Sequence, residues 1–205
     1  MRRFRFSLFL LLLCWAVPAL AGVEIHFHSK DFASTFPHAF VRLTGTDYTT
    51  GQPIDVNYGF TPNSVGPEIL FGPVRGMIQT VDPVYVSRSD RHFSLKLTGE
   101  QYRTVLAVVE KWRSAPQPSY RLNSRNCVHF VAEVATALGF HAPSAKGLMK
   151  KPKSFLRKVT SDNLVLIQEW ETRYAVAAGP SQPPVPPAQP TVAATPTPPP
   201  VTAPQ

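Results

Sequence analysis

Residues 120–139 read Tyr-Arg-Leu-Asn-Ser-Arg-Asn-Cys-Val-His-Phe-Val-Ala-Glu-Val-Ala-Thr-Ala-Leu-Gly. Within them Cys127, Phe130, Val131, Val134, Ala135 and Leu138 recur at helical spacing, so a helix starts near Asn126 or Cys127 and turns this stripe to a core. Gly139 follows as its C-terminal stop. That start puts Cys127 in the first turn, where unpaired backbone N–H groups and the helix dipole favour an anion.

Working outward, Thr98 and Gln101 have the spacing of a capping box. Behind them Tyr102, Val105, Leu106, Val109 and Trp112 follow a helical period, and Pro116 and Pro118 enforce a loop. Downstream, Lys153 to Val159 and Leu164 to Tyr174 read as two more helical pieces. Upstream the period changes. Val23 to His28 alternates apolar and polar residues, and His38 to Leu43 and Ile54 to Tyr58 read as further strands joined by a Thr- and Gly-rich hairpin loop, Thr44 to Pro53. Residues 61–75, with three prolines and two glycines, form an irregular excursion. Met77 to Val81, Val84 to Ser87 and Phe93 to Leu97 read as short strands. Strands first and helices afterwards predict an α+β domain, an antiparallel sheet packed against helices.

The two ends have other compositions. Residues 1–21 read as a signal peptide: Arg2, Arg3 and Arg5, an apolar run from Phe6 to Val17, then Ala19-Leu20-Ala21. The run is too short for a stable bilayer span. Cys14 follows Leu13 rather than a small residue, so no lipoprotein anchor is expected. Residues 180–205 hold 11 of the 22 prolines and no charged residue, which predicts a polyproline-type tail without a core. Residues 22–179 remain as one domain, too small for a dinucleotide-binding domain plus a substrate domain.

Export and leader removal would leave Cys127 as the single cysteine, so no intramolecular disulfide is expected. The thiol is then a partner's half-cystine, a buried apolar residue or a reagent. Without the three leader arginines the formal charge of +8 becomes +5, much of it in Lys146, Lys150, Lys151, Lys153, Arg157 and Lys158. Such a cluster is a solvated helix face or a contact for an anionic envelope surface. No nucleic-acid-binding motif is present, and no nucleic-acid partner is expected.

A thiol nucleophile needs a base, and six histidines compete. His38 opens a strand, which could face a helix N-terminus packed on the sheet. His129 lies about 200° around the helix from Cys127 and suits a structural hydrogen bond. His26 and His28 share one strand face, yet no third ligand stands at a recognisable spacing, so no metal and no cofactor are expected. His92 and His141 stand in turn-like contexts and read as solvated. Asp55 and Asn57 project to one face of the strand after His38, and antiparallel pairing would bring one of them near the imidazole to orient it.

The order of histidine at a strand start, polar residue on the next strand and Asn-Cys at a helix start resembles the circularly permuted papain-like group. That group is related to bacterial cell-wall endopeptidases of the NlpC type and includes lecithin:retinol acyltransferase-like proteins. The matching stretches are residues 38–43, 54–58 and 120–131. Acyltransferase-like members carry Asn-Cys-Glu-His-Phe at the nucleophile, whereas this chain has Val128 in place of the glutamate. Those members also place a second histidine at the orienting position, and this chain has none there. The resemblance implies a papain-like domain in permuted order and a thiol hydrolase, which the leader at 1–21 would make an exported one, periplasmic or secreted. Cys127 would be its nucleophile, His38 its base and Asp55 or Asn57 its orienting residue. Export and positive charge point to a cell-wall peptide amide as substrate. An acyl ester or lipid is the alternative on the same site, and a non-catalytic envelope binding module the alternative class.

Overall fold

In the computed structural model, which describes residues 22–31 and 36–177, alternation along β1 (Gly22–Lys30) sorts the molecule into two sides. Val23, Ile25 and Phe27 point to one side and Glu24, His26 and His28 to the other. β1 pairs antiparallel with β2 (His38–Thr46) and, on its other flank, with β5 (Asp90–Leu97). β3 (Pro53–Pro62) and β4 (Gly76–Gln79) extend the sheet, giving the order β4-β3-β2-β1-β5. The antiparallel α+β reading from sequence holds. The expected leader, 1–21, and proline-rich tail, 180–205, lie outside the described residues.

The apolar side is covered by α2 (Gly99–Arg113), α3 (Cys127–Ala137), α4 (Pro152–Asp162) and α5 (Leu164–Ala177). Ile25, Phe27, Val41, Leu43 and Leu95 meet Val105, Phe130, Val134, Phe155 and Leu156 in one continuous core. Aromatic pairs bind the sheet and helices. Phe27 stacks on Phe93 within the sheet at 4.4 Å, and Trp112 meets Phe130 edge-on between two helices at 5.6 Å. Across the layers, Phe60 of β3 meets Trp112 of α2 edge-on at 4.7 Å. The capping box of α2 forms as its spacing predicts, with Gln101 N–H donating to Thr98 Oγ1 and Thr98 N–H donating to Gln101 Oε1. Gly139 ends α3 at φ +88°, a left-handed conformation costly for any residue with a Cβ.

Three expectations change. Val84 to Ser87 is not a strand but a short helix, α1 (Pro83–Ser87), because the Asp82 carboxylate accepts the Tyr85 N–H and Pro83 presets the first helical φ. The excursion at 61–75 is shorter than its composition suggests. β3 runs on to Pro62, and Pro67–Leu70 wind into a 3-10 turn. His92 is not solvated: it is half-buried, with Nε2 2.8 Å from Ser29 Oγ, whereas His141 is exposed.

One irregularity positions the site. β2 and β3 pair only as far as Val41 and Tyr58; beyond that β2 stays with β1 to His38, while β3 turns to β4 over Gly59–Pro62. The two strands therefore part at the start of β2, and the N-terminus of α3 meets the sheet there. Phe130 anchors that helix from a fully buried position. Phe130→Ala should cost about 3–5 kcal/mol, read as a lower urea midpoint at constant m. A loss below about 1 kcal/mol would mean that the α3–sheet contact is not the packing described.

Candidate active site

Asn126 caps α3. Its Oδ1 accepts the Val128 and His129 N–H groups at 2.9 and 3.2 Å, and the His129 ring closes the cap with Nδ1 2.9 Å from Oδ1. At its other end Nδ2 donates to Leu122 O and Met149 O, both at 2.8 Å. The cap thus fixes Cys127 as the first helical residue and ties it to loops on either side.

The Cys127 sulfur is met by the backbone N–H groups of Ala39, Val128 and Cys127 itself. Each favours the thiolate, as a helix start should. Burial outweighs them: the residue is only 8% exposed, and its thiol is pushed up to about 11. The expectation of a lowered thiol pKa is thereby overturned, because desolvation exceeds the help from the amides.

His38 lines the same cavity as Cys127, a space of about 490 Å³ walled by Phe60, Pro62, Val65, Ile69, Val81, Tyr85 and Tyr120. The amide that faces the sulfur belongs to Ala39, the residue after His38. Burial drives the imidazole down to about 4, so it is neutral at pH 7. No hydrogen bond joins ring and thiol, and Nε2 is buried without a partner. The ring lies against Gly59: a Cβ there would stand 2.2 Å from Nε2. The neighbouring strand therefore presents bare backbone where an orienting side chain would be sought.

Asp55 and Asn57 sit elsewhere. β3 does run antiparallel to β2, but its register sets Asn57 opposite Arg42 and Asp55 opposite Thr44. These are four and six residues along β2 from His38, about 13 and 20 Å at the usual rise. Asp55 accepts two hydrogen bonds from Arg42, at 2.7 and 2.6 Å, and this guanidinium holds its carboxyl below the usual range. Asn57 pairs with the backbone of Val81, its Nδ2 donating to the carbonyl at 2.9 Å and its Oδ1 accepting the N–H at 2.7 Å. The structure thus brings Cys127 and His38 to one cavity and leaves both orienting candidates outside it.

Tyr120 is the cavity residue that sequence reasoning passed over. Burial, reinforced by the Cys127 sulfur, raises its phenol above the ordinary value, and backbone bonds to Val74 on both sides hold it in place. Its signal in the sequence is its place at the head of the 120–131 stretch that leads into Asn126-Cys127. The basic cluster is partly neutralised: Lys153 pairs with Asp90 at 2.9 Å and Asp31 at 3.6 Å, and Lys158 pairs with Asp162. Among the described residues no group of three metal-ligating side chains occurs, and no helix is long and apolar enough to cross a membrane.

No protein-family model and no curated protein matches this sequence. Among solved structures the chain is similar to that of a type VI secretion system effector, TseH. Identity is 17%, 69% of this chain and 88% of the effector are covered, and the TM-score is 0.46.

Two outcomes test this geometry. Asn126→Ala removes the cap and strands the Leu122 and Met149 carbonyls, so it should cost at least about 2 kcal/mol in chemical denaturation. The His38 ring is kept neutral by burial, while an unfolded chain takes up its proton near pH 6.5. The unfolded state therefore binds more protons between about pH 6.5 and 4, and stability should fall across that window. His38→Gln should flatten the fall; an unaltered profile would mean that the ring is not desolvated.

Proposed function

We propose that this chain is an exported thiol hydrolase of the permuted papain-like type, in which Cys127 attacks a carbonyl and His38 is the base. One observation carries the reading: two residues far apart in sequence line one cavity, with the sulfur held against the amide next to His38. At neutral pH the pair is thiol and imidazole rather than an ion pair. The proton must then leave sulfur as the bond to carbon forms, with the imidazole accepting it and later passing it to the leaving group. The Cys127 N–H, at the helix start, supplies one donor to the developing oxyanion. Water then cleaves the thioester and frees the thiol.

A cell-wall peptide amide follows from the export signal and the positive balance of the chain. The cavity favours the second reading, an acyl ester. Its walls are mainly apolar, Asp82 is the one acidic side chain among them, and Val65, Leu70 and Phe71 lie exposed on the adjoining excursion. A cavity of this kind accepts an apolar acyl group more readily than a chain of carboxylates.

The test is turnover of muropeptides and of medium-chain p-nitrophenyl esters, with a search by mass spectrometry for an acyl adduct on Cys127. Cys127→Ala should abolish turnover and the adduct, and His38→Ala should slow turnover about 100-fold or more. Gly59→Ala should also slow it, since the added methyl displaces the base. Activity should be retained down to about pH 5 and fall as the imidazole protonates near 4. Absence of turnover and adduct with every substrate, in a folded chain, would leave the non-catalytic binding module as the better account.

A further inference from the structure

The polar side of the sheet carries a second cavity, about 630 Å³, that the hydrolase reading does not use. Its floor is a registered row across three strands: His26 on β1 stands opposite Arg42 on β2, which stands opposite Asn57 on β3. α1 and the segment leading into it form the roof. An open antiparallel face ordinarily meets water. Here His26, His28 and Asn57 are all buried, and buried polar side chains in a concave wall call for an explanation.

Hydrogen bonding fixes what this wall offers. Ser89 donates its single hydroxyl hydrogen to Val86 O at 2.6 Å, so it accepts from His28 Nδ1 at 2.8 Å. His28 is therefore the Nδ1–H tautomer, and its Nε2, buried and without a partner, is a bare acceptor. His26 spends both ring nitrogens, on Ser94 at 2.7 Å and Thr44 at 2.8 Å. Arg42 uses Nε–H and one Nη2–H on Asp55, which leaves three N–H donors. Arg91, also in the wall, has no ion-pair partner among the described residues. With Asp55 spent on Arg42, the cavity presents excess positive charge next to an unused hydrogen-bond acceptor.

We propose that this cavity binds a hydroxylated carboxylate of sugar-acid type, its carboxylate on the guanidinium groups of Arg91 and Arg42 and a hydroxyl donating to His28 Nε2. Guanidinium N–H groups recognise a carboxylate by paired, charge-assisted bonds. A hydroxyl satisfies the lone acceptor, which an apolar anion would leave stranded. Thr80 and Val81 wall both this cavity and that of Cys127, and Asn57 grips Val81 from this side. A ligand here shares the Thr80–Val81 wall with the cavity that holds the thiol. Binding does not depend on the Cys127 chemistry, so the proposal stands or falls apart from the hydrolase reading.

The test is calorimetric titration of the full chain carrying Cys127→Ala with D-glucuronate, D-glucose and sulfate, alongside imidazole ¹⁵N spectra. Glucuronate should bind at least about tenfold more tightly than glucose or sulfate, a difference near 1.4 kcal/mol. Its binding should move the His28 Nε2 resonance while leaving His38 in place. Arg91→Ala, at an exposed position that should not disturb folding, should weaken it about tenfold, and His28→Phe should remove the preference over sulfate. Equal binding of sulfate and glucuronate, an unmoved His28 signal, or an Arg91→Ala chain that binds as well as the parent would each overturn the proposal.

Discussion

The Asn126 side chain uses both ends of its amide at once. Its oxygen closes the first turn of α3, and its nitrogen holds the carbonyls of Leu122 and Met149, one from the preceding loop and one from beyond the helix. A side chain only 3% exposed that satisfies this many partners cannot move without stranding several buried polar groups. Cys127 is the next residue, so its sulfur inherits that rigidity. Two other amides do comparable work at the sheet margin. Asn57 pairs with Val81, and Gln117 pairs with both backbone groups of Gly76, each standing in for a missing strand neighbour.

Burial and polarity pull in opposite directions around the thiol. Three amides would hold a thiolate, yet their contribution is smaller than the cost of desolvating it. The same burial empties the His38 ring of its second proton. The result is a protonated thiol beside a neutral imidazole, a resting form with little reactivity toward bulk reagents. The polar face of the sheet follows a different rule: there burial is offset by hydrogen bonds between imidazole and hydroxyl, and one ring nitrogen is left over.

Much of the fold could be read from the chain. The alternation of Val23, Ile25 and Phe27, the Thr98–Gln101 cap and the stripe from Cys127 to Leu138 are local signals, and each gave its element. α1 was misread because Val84, Tyr85 and Val86 have the branched and aromatic character of a strand, while the decisive cap, Asp82, contributes one hydrogen bond. Asp55 and Asn57 were placed near His38 because pairing direction is legible but register is not. A shift of four residues along β2 follows from where the 47–52 turn closes, through the Asp47 bonds to Thr49, Thr50 and Gly51. The thiol's environment was out of reach for another reason: helix position is local, whereas desolvation depends on everything packed above it.

The position of β1 in the sheet bears on how the chain can reach this structure. The first strand of the domain is also an interior one, flanked by β2 and by β5, whose pairing residues lie more than sixty positions downstream. A chain synthesised from its N-terminus can form the β1–β2 hairpin early, but one edge of β1, with Ile25 and Phe27, stays unpaired until Asp90–Leu97 arrives. Contacts of such sequence separation slow folding. The delay leaves that edge of β1 open for as long as the second half of the chain is still being made.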